Sequence, residues 1–291
     1  MVDILILNYV DFETTQNLVD KVKTYESVDH ICIVDNSSPN DSFSQLLPNS
    51  CDKISVIRTP KNGGYGYGNN YGIKFLRENY QSKYILVCNP DVIIEDDVIE
   101  KLEDFLEKNK SYIIAAPFMC DPQGNKQQNT AFRIGTLQSY ILSYGLIYSK
   151  IFKPGIYPQI TQVDCQKLDV EATAGSLFLL NAELMTSDNL FDENIFLYCE
   201  ERVLGMRCKK AGLKMALLPR ERFIHNHSSS ISKVLETEVK KRKVMNSSAL
   251  YVMKEYYGAN KLEIMLAKLL MFISIREIKA VDLIKRKWRC K

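Results

Sequence analysis

Several things are missing from this sequence, and each absence removes a class of protein. No run of about 18 apolar residues appears, so no membrane-spanning helix is expected. The eight cysteines are scattered, with no CxxC pair and no zinc-like spacing. That argues for a reducing compartment and against a disulfide framework. The opening stretch Met1–Leu7 has no basic n-region and meets polar Asn8 too soon for a secretory signal. The first strand-like run is followed by Asn8-Tyr9-Val10-Asp11, a turn without glycine. The dinucleotide fingerprint, which must follow the first strand, is therefore absent. Histidine is scarce, with three in the chain, and two of them fall together at 225 and 227. These absences lead us to expect a cytoplasmic protein.

What is present is ordinary for a folded chain. The 291 residues are 46% hydrophobic and 25% charged, enough for a sizeable core. The length suits one large domain or one domain with an extension. The net charge of +3 hides an asymmetry: residues 231–291 carry 15 Lys or Arg against 6 Asp or Glu, a balance of +9, and the remainder stands at −6. Charge separated this way within one chain marks a surface-binding tail. We therefore expect one large domain over 1–231 and a basic helical extension over 232–291.

Strand and helix signals alternate in the first half. Apolar runs at Ile4–Leu7, His30–Val34, Ile54–Ile57, Tyr84–Cys88 and Tyr112–Ala116 read as strands. Between them, Leu18, Val22 and Tyr25, then Ile73, Leu76 and Tyr80, then Val98, Leu102 and Phe105 fall at helical spacing. Asp96 or Asp97 can cap the last of these helices. The order predicts an α/β fold, with a mostly parallel central sheet covered by helices on both faces. After Pro117 the pattern loosens. Residues 136–151 are rich in tyrosine and read as a partly helical excursion; order returns at Val170–Leu180 and again from Asn189 to Leu218.

Polar residues gather at three strand ends: Asn8-Tyr9, Asp35-Asn36-Ser37-Ser38 and Asn89-Pro90-Asp91. Each alone is an ordinary turn. In a parallel sheet all three share the carboxyl rim, where ligands bind. Pro90 lacks an N–H and has a fixed φ, so it ends its strand. A carboxylate held by that stiff turn suits a divalent cation bound to phosphate. Asn62-Gly63-Gly64-Tyr65-Gly66-Tyr67-Gly68-Asn69-Asn70 precedes a helix; its glycines would let backbone N–H groups approach a ligand beside a positive helix N-terminus. Farther on, Phe191-Asp192-Glu193 leads to Glu200-Glu201. Adjacent carboxylates raise one another's pKa, which suits proton abstraction, although on composition alone a solvated helix start is the better reading. His225 beside a carboxylate-bound cation would complete a mixed nitrogen and oxygen site; a surface loop is the plain alternative.

These pieces, in this order, resemble an inverting family 2 glycosyltransferase with the GT-A fold, close to the bacterial rhamnosyltransferase-like group that builds surface polysaccharides. The resemblance runs from residue 2 to about residue 230. It implies a dTDP- or UDP-linked sugar donor and a glycan or lipid-linked glycan acceptor. It assigns Asn8, Tyr9 and Asp35 to the nucleoside, and Asn62, Gly63, Gly64, Tyr65, Asn69 and Asn89 to the rest of the nucleotide sugar. Gly175 would floor the acceptor side. Asp91, with Asn89 and His225, would hold Mg²⁺ or Mn²⁺. Glu201, with Glu200 beside it, would be the catalytic base. The family's usual pair there is Glu-Asp, so Glu201 takes the Asp position with one extra methylene, and misplacement of about 1 Å costs on the order of 100-fold in rate. Val203 stands where the family often carries another Asp.

Two rivals bring different expectations. A nucleotidyltransferase would carry its glycine-rich loop and a basic activating residue directly after strand one. A non-catalytic relative that binds a sugar nucleotide, or scaffolds other enzymes, would tolerate the Glu-Glu departure. In the C-terminal region, Leu262, Met265, Leu266, Leu269, Leu270 and Ile273 fall at helical spacing, and Lys285-Arg286-Lys287-Trp288-Arg289 follows. A basic amphipathic helix suits the inner face of an anionic cell membrane. Packing on the catalytic domain or on a partner subunit is the equal alternative, and a homo-oligomer would use this region or 136–151. No nucleic-acid partner is expected, because no recognition motif accompanies the basic end.

Overall fold

The computed structural model describes residues 1–145, 155–226 and 237–289, with 280–289 described by backbone alone. His227, the expected boundary at 231 and residues 146–151 of the tyrosine-rich stretch lie outside the described residues. The apolar runs form strands β1 (Val2–Asn8), β2 (Val28–Asp35), β3 (Ile54–Arg58) and β4 (Tyr84–Cys88), alternating with helices α1 (Phe12–Val22), α2 (Ser42–Leu46) and α3 (Tyr65–Tyr80). Then come β5 (Val92–Ile93), α4 (Asp96–Lys108), β6 (Tyr112–Cys120), β7 (Ala131–Phe132), α5 (Leu137–Leu142), β8 (Leu168–Val170), β9 (Ala172–Thr173), β10 (Leu177–Asn181), α6 (Glu200–Lys210), β11 (Lys214–His225), α7 (Glu238–Glu255) and α8 (Lys261–Arg289).

The main sheet has the order β3-β2-β1-β4-β10-β6-β11-β5, with β8 also on β11. Strands β3, β2, β1 and β4 are parallel neighbours, as are β6 and β11. The sheet is more mixed than the alternation implies, because β10 lies antiparallel between β4 and β6, and β5 and β8 pair antiparallel with β11. Every residue of β10 is buried. A strand covered on both faces reads as one apolar run whichever way it points.

Side chains alternate between two cores with the strand period of two. Ile4 and Ile6 join Leu18, Val22, Leu46, Val98 and Leu102 on one face. Leu5 joins Ile73, Leu76, Leu204 and Cys208 on the other. A third cluster joins Tyr140, Ile141 and Tyr144 of the α5 region to Ala249, Val252 and Met253 of α7 and to Ala267 and Met271 of α8. Val203 is fully buried in that cluster, which explains an apolar side chain at that position.

Three local expectations change. Strand β6 does not stop at Pro117; it runs on to Cys120, and the irregularity is carried by β11, whose register shifts between Leu218 and Arg222 opposite Pro117. A bulge beside the proline accommodates its missing N–H. Asp96 does not cap α4; its carboxylate accepts from the Glu26 N–H at 2.9 Å and ties the helix to the turn before β2. The glycines of α3 mostly face protein. A Cβ on Gly72 would lie 2.2 Å from Leu5 Cδ1, and one on Gly68 would lie 2.5 Å from Leu7 Cδ1. Their absent side chains let α3 press onto β1 and β2.

Candidate active site

At the carboxyl rim, β1 and β2 end in register, with Asn8 opposite Asp35. Asn8 Nδ2 donates to Asp35 Oδ1 at 2.9 Å, and Asn8 Oδ1 accepts from Thr15 Oγ1 at 2.9 Å. Asp35 Oδ2 accepts from the Ser38 N–H at 3.0 Å and lies 3.4 Å from Arg58 Nε. Both Asn8 and Asp35 are fully buried, and Tyr9 beside them is half-buried. Here these side chains brace the two turns. Asn36, which was not singled out as a site residue, donates to Asn62 Oδ1 at 3.2 Å and to the Gly64 carbonyl at 3.0 Å. It thereby locks the glycine loop to the end of β2. Gly64 enters α3 with φ of 93°, and a Cβ there would meet the Phe196 carbonyl oxygen at 2.0 Å. The loop thus docks against the segment that leads to Glu200. Asn69 turns inward, donating to the Tyr65 carbonyl at 3.0 Å.

The second group forms where β5 pairs with β11. That pairing sets His225 opposite Val92 and brings His225 Nε2 to 3.1 Å from Asp91 Oδ1. The Asn226 N–H donates to the Asp91 carbonyl at 2.9 Å. The Asn89 N–H donates to the Ser176 carbonyl at 2.8 Å, joining the end of β4 to the start of β10. Among the described residues, no three His, Cys, Asp or Glu side chains converge. One carboxylate, one imidazole and one amide still fit a cation that completes its shell from a diphosphate, as Mg²⁺ commonly does.

The third group sits at the start of α6. Tyr198 and Cys199 both take left-handed φ, 69° and 75°. Such strain in residues other than glycine concentrates at functional sites. Glu201 Oε1 accepts from the Gly175 N–H at 3.3 Å, and a Cβ on Gly175 would lie 2.8 Å from that oxygen. Tyr65 donates its hydroxyl to the Gly175 carbonyl at 2.5 Å. Burial, then the Glu201 and Glu200 carboxylates, push the Tyr65 hydroxyl well above its ordinary pKa, so it stays a donor. Glu200 is 3% exposed, so this is no solvated helix start, and its Oε1 has no hydrogen-bond partner among the described residues. Burial and the neighbouring charge of Glu201 hold the Glu200 carboxyl well above its usual range. Burial raises Glu201 as well, opposed by backbone hydrogen bonds that include Gly175. Both carboxyls are thus held above their usual range, with the backbone hydrogen bonds favouring the ionised form at Glu201.

These groups meet in a pocket of about 410 Å³ lined by Tyr65, Asn89, Gly175, Glu200, Glu201 and His225. Asn8, Tyr9, Asp35, Asn62, Gly63, Gly64, Asn69 and Asp91 are not among its lining residues. The sequence reading missed Asn129, Phe132, Tyr140, Tyr144, Arg202 and Met245, which complete the walls. The tyrosine-rich stretch was a signal for two of them; Met245 had none. The late chain also anchors the segment before Glu200. Buried Asp192 accepts from Tyr251 Oη at 2.9 Å, Tyr256 Oη at 2.7 Å and the Asn194 N–H at 3.0 Å. Burial opposes its charge, but hydrogen bonds from Tyr256, Asn194 and Tyr251 outweigh burial and keep its carboxyl below the ordinary range. Ser248 donates to the Leu197 carbonyl at 2.7 Å.

The sequence pattern described as Glycosyl transferase family 2 matches residues 3–178. The chain belongs to that family. It is 25% identical over 232 residues to the rhamnosyltransferase WbbL of Escherichia coli (strain K12), covering 77% of this chain and 83% of WbbL. It is also 25% identical over 223 residues to the low-salt glycan biosynthesis hexosyltransferase Agl10 of Haloferax volcanii, covering 77% of this chain and 66% of Agl10. A crystal structure of GalNAc-T7 with UDP, GalNAc and Mn²⁺ superposes with a TM-score of 0.59 over 97% of this chain and 57% of that one, at 13% identity. That likeness is one of fold, and the fold is GT-A-like. The family span includes the glycine loop, Asp91 and Gly175 and ends before Glu200.

Proposed function

We propose that this family 2 glycosyltransferase moves one rhamnosyl or other hexosyl residue from a dTDP- or UDP-linked donor to an acceptor hydroxyl, with inversion, in the synthesis of a bacterial surface polysaccharide or glycan. One observation carries the reading: Glu201 on the pocket floor shares a single cavity with Asn89 and His225, and His225 contacts Asp91. A base facing a diphosphate-holding rim is what one displacement at an anomeric carbon needs. The named activities of WbbL and Agl10 support the sugar class.

Glu201 takes the acceptor's proton as the acceptor oxygen attacks the anomeric carbon. The bond from that carbon to the phosphate oxygen breaks, and its electron pair leaves on the nucleoside diphosphate. The Gly175 N–H holds the Glu201 carboxylate, and the Tyr65 hydroxyl holds Gly175 through its carbonyl. Asp91, Asn89 and His225 would hold Mg²⁺ or Mn²⁺, which neutralises charge on a departing diphosphate; the Mn²⁺ bound by GalNAc-T7 supports that choice. Asn8, Tyr9 and Asp35, with the glycine loop, are assigned to the nucleoside side. Residues 1–231 form the catalytic unit in this reading, and 232–291 the extension that closes the pocket. The setting is the cytoplasmic side of a cell membrane, with a glycan or lipid-linked glycan as acceptor. The test is Glu201→Gln, assayed for sugar transfer and, separately, for donor binding by calorimetry. Transfer falls about 10²- to 10⁴-fold, the range for general-base assistance, while donor binding stays. Full transfer by the variant removes Glu201 from the mechanism.

A further inference from the structure

We propose that the outward face of α8 docks on an anionic lipid bilayer. The helix has two faces with separate roles. Ala267 and Met271 are buried in the cluster with Tyr140 and Tyr144, two tyrosines that line the pocket. On the opposite side, Leu262, Met265, Leu266, Leu269, Phe272 and Ile273 are 44–70% exposed. Steps of three and four residues align these six along one stripe. Single exposed apolar side chains are normal, but a contiguous stripe of them marks an interaction surface. Lys261, Lys268 and Lys279 are exposed and follow one margin of the stripe at steps of seven and eleven. The Arg276 guanidinium stacks over Phe272 at 5.0 Å from the ring centroid. Residues 261–291 carry nine Lys or Arg against three Asp or Glu.

This charge selects the occupant. A second copy would set a basic margin against the same basic margin, whereas anionic headgroups complement it, and each Lys or Arg near such a surface strengthens binding about fivefold. Among the described residues, no helix is long and apolar enough to cross a membrane, so the helix lies in the interface plane. The inference deepens the transferase reading, and rests on it, only in placing the pocket wall beside the surface that presents a lipid-linked acceptor.

The experiment floats the full chain, without donor, on vesicles of phosphatidylcholine with and without phosphatidylglycerol. The native chain floats with the anionic vesicles in a salt-sensitive way and not with phosphatidylcholine alone. Leu266→Ser/Leu269→Ser/Phe272→Ser changes only exposed side chains and lowers vesicle partition about tenfold or more. Lys261→Glu/Lys268→Glu/Lys279→Glu lowers it to a similar extent at low salt. Circular dichroism and the thermal midpoint verify that both variants fold. Flotation of the apolar triple equal to that of the native chain overturns the proposal, as does a native chain that never floats. A native dimer that the apolar triple turns into a monomer, with no vesicle binding by either, assigns the face to a second copy instead. Transfer to a soluble acceptor, measured in parallel, separates the two readings: a chain that floats and transfers nothing refutes the transferase, and one that transfers and never floats refutes this surface.

Discussion

Gly175→Ala tests the geometry around Glu201 with a single methyl group. The added Cβ would lie 2.8 Å from Glu201 Oε1, 3.2 Å from its Cγ and 3.3 Å from its Cδ. Ordinary contact begins at 3.4 Å, so the carboxylate must retreat by the difference, 0.6 Å. Gly175 is not among the residues with positive φ, so alanine meets no backbone strain there. The effect therefore falls on the carboxylate. If about 1 Å of misplacement costs on the order of 100-fold, 0.6 Å costs about 10- to 30-fold. The assay is the initial rate of nucleoside diphosphate release with acceptor present, read as kcat and donor KM. We expect kcat to fall by that factor, with donor KM within about twofold, because the clash lies on the acceptor side. A second variant sharpens the test. Glu201→Asp withdraws the carboxylate by about one carbon–carbon bond, roughly 1.5 Å, and makes room for the new methyl. The pair Gly175→Ala/Glu201→Asp should lose less than the product of the two single losses. An unchanged kcat in Gly175→Ala, or strictly multiplicative losses in the pair, would refute the reasoning.

Other variants separate neighbouring roles. Glu200→Gln copies the protonated form that burial favours, so kcat should stay within about threefold; a loss as deep as that of Glu201→Gln would show that Glu200 takes protons itself. The same variant has a signed effect on stability. The folded state raises the Glu200 pKa and so binds more protons than the unfolded chain between the two values, which makes native stability fall as pH rises through that window. Glu200→Gln removes this loss, so its thermal midpoint should exceed the native one at pH 8 by more than at pH 5; an equal difference at both would contradict the assignment. Asp192→Ala removes the acceptor of Tyr251 and Tyr256 and the carboxylate 3.5 Å from Arg207 Nη2, and should cost about 3 kcal/mol by urea titration. A cost under about 0.5 kcal/mol, the size of an ordinary surface change, would mean that the late helices do not anchor the segment before Glu200. Asp91→Ala should abolish the dependence of donor binding on divalent cation in calorimetry, and native donor binding indifferent to a chelator would remove the metal from the account.

The sheet was legible because buried strands are short apolar runs whose ends are punctuated by polar turns. Tyr84–Cys88 has the same bounds in the sequence reading and in the structure. The antiparallel direction of β10 was not legible, since Leu177–Leu180 has the same composition either way. The glycine loop shows a different limit. Its residues are recognisable as a motif, but whether a glycine faces a ligand or a neighbouring leucine depends on what lies underneath, and Gly68 and Gly72 face Leu7 and Leu5. For Glu200-Glu201 the pairing was visible, while the deep burial that decides its protonation was not. Met245 could not be found at all, because it reaches the pocket through a contact some 45 residues removed from Glu200 in the chain. The α8 stripe was half legible: helical spacing predicts a face, and only packing shows that Leu262 and Phe272 are exposed while Ala267 and Met271 are not.

The pocket draws on two separate lengths of chain. Its rim comes from strand ends within the span that matches the family, residues 3–178, and from His225 at the end of β11. Its base and one wall come from residues 197–202 and Met245, and Asp192, Tyr251 and Tyr256 hold that part in place. On the proposed reading, an exchange of residues 192–202 together with 245–256 between two enzymes of this family, with Asn89, Asp91 and His225 left in place, would carry the choice of acceptor and keep the donor. Diversity of products would then arise mainly from residues beyond the span that matches the family.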